Sequence, residues 1–154
     1  MAKKTARRVL LKRADIVASG KANTPPDLAR VVLFIDNRLT IGQSLIPPIE
    51  DGEIQATALA TLQALTKALP TGTNLILQKT IKMQPKYLDD SLIVAIVDAK
   101  YDDLELNLTG ASIVREEKII WGVANAILDA TNRLTSFLLD IEQEDLDDSE
   151  PDEE

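Results

Sequence analysis

The chain of 154 residues has no cysteine and no histidine. The thiolate nucleophile, the side chain that titrates near neutral pH and the ligands of most transition-metal sites are therefore excluded. Catalysis would have to rest on carboxylates, lysines or hydroxyls. The lack of cysteine also fits a reducing compartment. Glycine is sparse, and the six that occur stand singly, so neither a P-loop nor a dinucleotide fingerprint can be built from them. Only five residues are aromatic, Phe34, Tyr87, Tyr101, Trp121 and Phe137, which leaves the core to Leu, Ile, Val and Ala. No apolar run approaches the ~18 to 20 residues that span a bilayer. Near the N-terminus the apolar patch is only Val9, Leu10 and Leu11, shorter than the apolar stretch of a signal peptide. These absences predict a cytoplasmic protein with no membrane association, no cofactor, no metal and no enzymatic activity.

Charge is present but unevenly placed. The formal net charge is −8, yet ten acids and no base fall in residues 140–154. The rest of the chain is close to neutral. Residues 1–21 hold seven Lys or Arg against the single Asp15. The composition thus predicts a basic arm over residues 1–7, one α+β domain over residues 8–139 and a disordered acidic tail over residues 140–154.

Hydrophobic rhythm supplies the fold class. Arg8 to Ala18 is rich in β-formers and closes at Ser19 and Gly20, predicting a strand. Val31, Leu33 and Ile35 alternate with Val32, Phe34 and Asp36, and an Asp36-Asn37 turn leads to Leu39 and Ile41, a tight hairpin. Gly42 to Ser44 is expected to weaken or end the third strand. After Pro47 and Pro48 the period changes, with Ile54, Ala58, Leu62, Leu65 and Leu69 on one face of a helix that Pro70 and Gly72 stop.

The same order then recurs. Leu75 to Met83, Leu92 to Val97 and Leu104 to Thr109 read as strands, and Ser112 is a candidate N-cap for a long helix through Ile120, Ala124, Ile127, Thr131, Leu134, Leu138 and Ile141. Leu11-Lys12-Arg13 matches Leu77-Gln78-Lys79, Val31 to Asp36 matches Ile93 to Asp98, and Leu59, Leu62, Thr66 and Leu69 match Ala124, Ile127, Thr131 and Leu134. The sequence is read as two tandem strand-strand-strand-helix repeats, 8–72 and 73–139, sharing one core because neither half can hide its apolar face alone.

Candidate sites follow from the two functions that this pattern admits. A basic sheet surface of Lys12 and Arg13 with Lys79 and Lys82 would contact single-stranded nucleic acid. The end of the long helix, with Leu134, Phe137, Leu138 and Ile141, outruns the first helix and would form a homodimer contact. Asp36 and Asp98 fall at matching hairpin positions and would be the only candidate carboxylate pair, although both read better as turn residues. Glu50, Asp51 and Glu53, and likewise Glu116 and Glu117, stand where a helix dipole favours acids, so they are not needed as cation ligands.

At the second helix, Gly110-Ala111-Ser112-Ile113 followed by Ala124, Ala126 and Asn132-Arg133-Leu134 resembles, at the level of fold, the regulatory domain of 2-isopropylmalate synthase. That resemblance implies paired strand-strand-strand-helix units, dimerisation and an effector held between units. The Gly-x-Gly-Pro-Val-Asp opening of that family's other helix is replaced here by Ile46-Pro47-Pro48-Ile49-Glu50-Asp51, so no ligand residues carry over. The expected function is a non-catalytic regulatory or interaction module, homodimeric, with a small-molecule effector or a protein as partner. The alternative is a single-stranded nucleic-acid-binding protein tempered by its acidic tail.

Overall fold

A computed structural model describes residues 9–18 and 27–148, with side chains through Glu142. The arm over residues 1–7 and the end of the acidic segment beyond Asp148 lie outside the described residues. Strands β1 (Val9–Val17), β2 (Leu28–Ile35) and β3 (Arg38–Leu45) precede helix α1 (Gly52–Ala68). Strands β4 (Asn74–Met83), β5 (Ser91–Tyr101) and β6 (Leu104–Val114) precede a 3₁₀ turn (Glu116–Lys118) and helix α2 (Ile119–Asp148). The fold is α+β, two consecutive strand-strand-strand-helix units. Each unit keeps its own antiparallel three-stranded sheet, ordered β1-β2-β3 and β4-β5-β6.

Alternation decides which way the sheets face. In β2 the residues Ala29, Val31, Leu33 and Ile35 are buried, as are Ile93, Ala95, Val97 and Ala99 in β5. At the β2–β3 turn Asp36 and Asn37 both take positive φ, 45° and 67°, the pair of left-handed residues that a type I′ hairpin requires.

The two helices lie between the two sheets. Helix α1 packs on β2 and β3 of its own unit, on β4 of the other and on α2; helix α2 packs on β5 and β6, on β1 and on α1. All the buried apolar side chains therefore join in one cluster that runs through both units. So confined a middle layer selects small side chains. Ala56, Ala58, Ala60 and Ala64 of α1, and Ala124, Ala126 and Ala130 of α2, are all buried.

The tightest approach is made by two glycines. A Cβ on Gly42 in β3 would fall inside van der Waals contact of the Ala60 carbonyl and the Ala64 nitrogen. On Gly110 in β6 it would overlap the Ala126 carbonyl and the Ala130 nitrogen in the same manner. Gly42 therefore does not end the third strand, as its residue type predicts; it lets β3 run to Leu45 while lying against α1. Beside each glycine, a helix side chain caps the next edge-strand amide: Gln43 N–H donates to Gln63 Oε1 at 2.7 Å and Ala111 N–H to Asp129 Oδ2 at 2.9 Å.

These contacts fix how the units correspond. Both first strands bulge at the matched place, between Leu11 and Arg13 and between Leu77 and Lys79, and Leu11 lies opposite Leu33 as Leu77 lies opposite Val97. Val31 therefore corresponds to Ala95 and not to Ile93. The sequence match slipped because β5 has 11 residues against 8 in β2, and the added length lies at the hairpin end. Asp36, in its turn, and Asp98, inside β5, consequently occupy unrelated positions and are not a symmetric carboxylate pair. Asp98 instead accepts hydrogen bonds from the Gln78 and Asn107 amides.

In the helices the glycine contacts set Ala60 with Ala126 and Gln63 with Asp129. Leu59, Leu62, Thr66 and Leu69 then correspond to Asn125, Leu128, Asn132 and Thr135, one residue away from the match that hydrophobicity suggests. Ser112 is not an N-cap, because β6 continues to Val114 and α2 begins at Ile119. The helix extends to Asp148, so the acidic segment from residue 140 begins as helix and not as a disordered tail.

Candidate functional site

Each helix is covered above and below by sheets and on one side by the other helix, which leaves one stripe facing outward between two sheet edges. On α2 that stripe is Asn125, Leu128, Asp129, Asn132 and Thr135, residues brought to one face by the helical period. Edge strand β1 of the first unit and Ser112 of β6 in the second flank it. Together with Leu65 and Thr131 beneath, they enclose a cleft of about 320 Å³ lined also by Val9, Leu10 and Leu11. Ligand pockets commonly measure ~300–1,000 Å³, so the cleft has room for a small molecule.

The wall contributed by β1 is aliphatic and that contributed by α2 is polar. Among the described residues neither the Asn125 nor the Asn132 amide has a hydrogen-bond partner, and Asp129 makes no ion pair, its one bond being that from the Ala111 amide. At the base, Thr135 is 1% exposed and its hydroxyl is unpartnered. The other helical threonines behave differently. Thr57, Thr61, Thr66 and Thr131 each donate to the carbonyl one turn earlier, the usual retreat of a helical hydroxyl. A buried polar group without a partner costs roughly 1–3 kcal/mol. The corresponding stripe on α1 has Leu59 where α2 has Asn125, and Leu69, just past the end of α1, stands where α2 continues as helix to Thr135.

The basic residues singled out from the sequence do not form one surface. Lys12 lies on the outer face of the first sheet, its ammonium 5.4 Å from the centre of the Phe34 ring. Arg13 is engaged with Asp15 at 2.9 Å, and Arg30 reaches the same carboxylate at 3.4 Å. Lys79 pairs across from Ile96 on the outer face of the second sheet, away on the far side of the helix layer. Lys82 belongs to the opposite face of β4, where it binds Glu116.

That last contact is structural. Glu116 accepts from Lys82 and, at 3.0 Å, from the Ser91 hydroxyl, tying the start of α2 to β4 and β5. The Lys82 hydrogen bond, then that of Ser91, holds the Glu116 carboxyl below the usual glutamate range. A carboxyl depressed in the folded state stabilises fully above its unfolded pKa and loses that contribution as pH falls through the folded value. Glu116→Gln is accordingly expected to leave a shallower acid limb in a plot of thermal midpoint against pH, with the two proteins converging at the most acid values.

The residues expected at a dimer contact divide. Leu138 is fully buried and Leu134 nearly so, Ile141 packs on the core, and only Phe137 presents a large apolar surface, 52% exposed. The end of α2 therefore does have partners within its own chain, namely the elements of the shared core. Sequence reasoning missed the cleft residues Asn125, Asp129, Asn132 and Thr135. Asn125, Asp129 and Asn132 are exposed, and polar positions at helical spacing read as a plain solvated face until the strand that borders them is known.

No group of three or more acids is placed to hold a metal ion among the described residues, and no described helix is long and apolar enough to cross a membrane. A scan against protein-family models gives no match, and a search of curated proteins finds none that is similar to this chain.

Proposed function

We propose that this protein is a non-catalytic regulatory module, homodimeric and derived by internal duplication, that binds a small effector in the cleft between β1 and α2. The observation that carries the reading is the polar stripe of α2 set against the leucine-bearing stripe of α1. Two units that share bulge, glycine and amide cap would be expected to share packing here as well. The second departs by lining the cleft with exposed amides, Asn125 and Asn132, where the first has Leu59 and Thr66, donors and acceptors left free to bond a ligand. The reading is non-catalytic because, among the described residues, no hydroxyl lining the cleft is hydrogen-bonded to a base that could activate it. The same site is where the resemblance to the regulatory domain of 2-isopropylmalate synthase would put an effector, between units.

The test grafts one unit's stripe onto the other. Asn125→Leu with Asn132→Thr reproduces Leu59 and Thr66, and the variant is expected to fold with equal or higher stability. A thermal-shift screen of small metabolites, followed by amide NMR, is expected to give ligands that move Leu11, Ala111 and Asn132 in the natural protein and have no effect on the graft. Ligands that bind the graft equally well would overturn the assignment to this cleft.

The homodimer is assigned to the outer face of the first sheet, where Leu10, Leu39, Ile41 and Leu45 are exposed on either side of Val32 and Phe34. Exposed apolar side chains gathered on one sheet face commonly mark an interface, here with the polar row Asp15, Arg30 and Gln43 between Ile41 and Leu45, and a second copy fits because both central and edge strands contribute to a patch that can meet itself. Light scattering after gel filtration is expected to give a dimer that Leu39→Lys with Leu45→Lys converts to a folded monomer. A natural protein that runs as a monomer refutes this part.

A second reading, single-stranded nucleic-acid binding, draws on the same face, where Lys12 over Phe34 offers a cation beside a stacking ring. It expects anisotropy of a labelled oligonucleotide to rise at low salt, to fall steeply as salt is added and to weaken on Lys12→Ala. No rise at low salt removes it.

A further inference from the structure

We infer that the ligand of the β1–α2 cleft is a small monocation, a protonated primary amine on a short aliphatic body, an assignment that rests on the effector-binding reading above. The charges in the wall decide this. Among the described residues Asp129 is the one ionisable side chain lining the cleft, and neither Lys nor Arg contributes to it. The nearest described base on β1, Lys12, is turned to the outer face over Phe34, and Arg13 is held by Asp15. An anionic ligand would find no positive side chain among the described residues to replace its hydration, and burying an unpaired charge is unfavourable.

Asp129 is fixed for the role. Its Oδ2 accepts the Ala111 amide at 2.9 Å, which locks the rotamer, and Oδ1 remains open to a second donor. The residues one turn before and almost one turn after it, Asn125 and Asn132, offer carbonyl oxygens on the same stripe. An ammonium has three donors and no acceptor, so a carboxylate flanked by two amide carbonyls matches it. The Thr135 side chain lies at the end of this lining, but its hydroxyl is wholly buried and is no part of the ammonium site. Val9 and Leu11 stand across from these groups, with Leu65 beneath and Leu128 beside Asp129, and these take the aliphatic part. A volume of about 320 Å³ limits that part to a few carbons and excludes peptides and nucleotides.

The probes are n-butylamine, n-butanol and butyrate, nearly isosteric and respectively cationic, neutral and anionic at pH 7, added to the full chain at matched ionic strength. Amide NMR titration is expected to show butylammonium shifting Leu11, Ala111 and Asn132 saturably, butanol binding about tenfold more weakly and butyrate leaving these resonances unmoved. Asp129→Asn keeps an acceptor for the Ala111 amide, so the fold is retained, and it should reduce butylammonium affinity to that of butanol. Thr135→Val, which removes only a buried hydroxyl, should leave butylammonium affinity unchanged and the thermal midpoint equal or higher, so that the loss on Asp129→Asn is read as loss of the carboxylate. Equal binding of amine and alcohol, or an unaffected Asp129→Asn, overturns the cationic assignment and leaves the effector-binding reading standing. Failure of all three probes together with failure of the metabolite screen overturns both.

Discussion

Gly42→Ala and Gly110→Ala are each expected to destabilise the protein by about 3 kcal/mol or more in chemical denaturation, and the double variant by about twice as much. Against a total of ~5–15 kcal/mol for an ordinary domain, two such losses remove a large share of the stability. The cause is steric and falls on backbone. A methyl group on either residue overlaps a helix carbonyl and amide nitrogen, and neither can rotate aside as a side chain could. The strand must lift from the helix, which opens the alanine-lined layer beneath it. Gly72 is the control. It has a φ of 95° with nothing near its missing Cβ, so alanine there meets backbone strain alone, about 1 kcal/mol. If Gly42→Ala and Gly72→Ala shift the denaturation midpoint equally, the close approach of β3 to α1 is not as described.

Leu138→Ala is expected to cost about 2–5 kcal/mol, and its neighbour Phe137→Ala less than about 1 kcal/mol. The smaller side chain carries the larger effect because it is fully buried. Truncation of Leu138 leaves a cavity in the shared core, while truncation of Phe137 removes a ring that is already half in water. Urea midpoints of the two variants decide the matter. The same pair bears on assembly: with Leu134 and Leu138 committed to the core, loss of a dimer on Phe137→Ala alone would move the interface from the first sheet to the end of α2.

Much of the fold was legible in the rhythm of the sequence. The alternation of Val31, Leu33 and Ile35, the Asp36-Asn37 turn and the leucines of α1 each follow from one local rule, and each is found in the structure. What was not legible depends on partners far along the chain. Gly42 looks like a strand end unless Ala60 is known to lie against it. Ser112 looks like an N-cap because nothing local distinguishes a serine at a strand end from one at a helix start. The match of Leu59 to Ala124 aligned one apolar residue with another, although Leu59 is exposed and Ala124 buried, and so hid the contrast between Leu59 and Asn125, which is the best signal for the site. A one-residue slip in a helix turns the face by about 100°, enough to exchange an outward stripe for an inward one. The basic residues failed as a group for a related reason. Lys79 and Lys82, three apart, point to opposite faces of one strand.

The packing of β1 on α2, and of β4 on α1, has a consequence for biosynthesis. The first strand to leave the ribosome finds its helix only after the last helix has been made, so the amino-terminal half has no completed layer to settle on during translation. Such long-range closure slows folding and leaves the Val9 to Val17 segment open to other contacts in the interval. A chain built in this way commits late and all at once, and its two halves should melt as one.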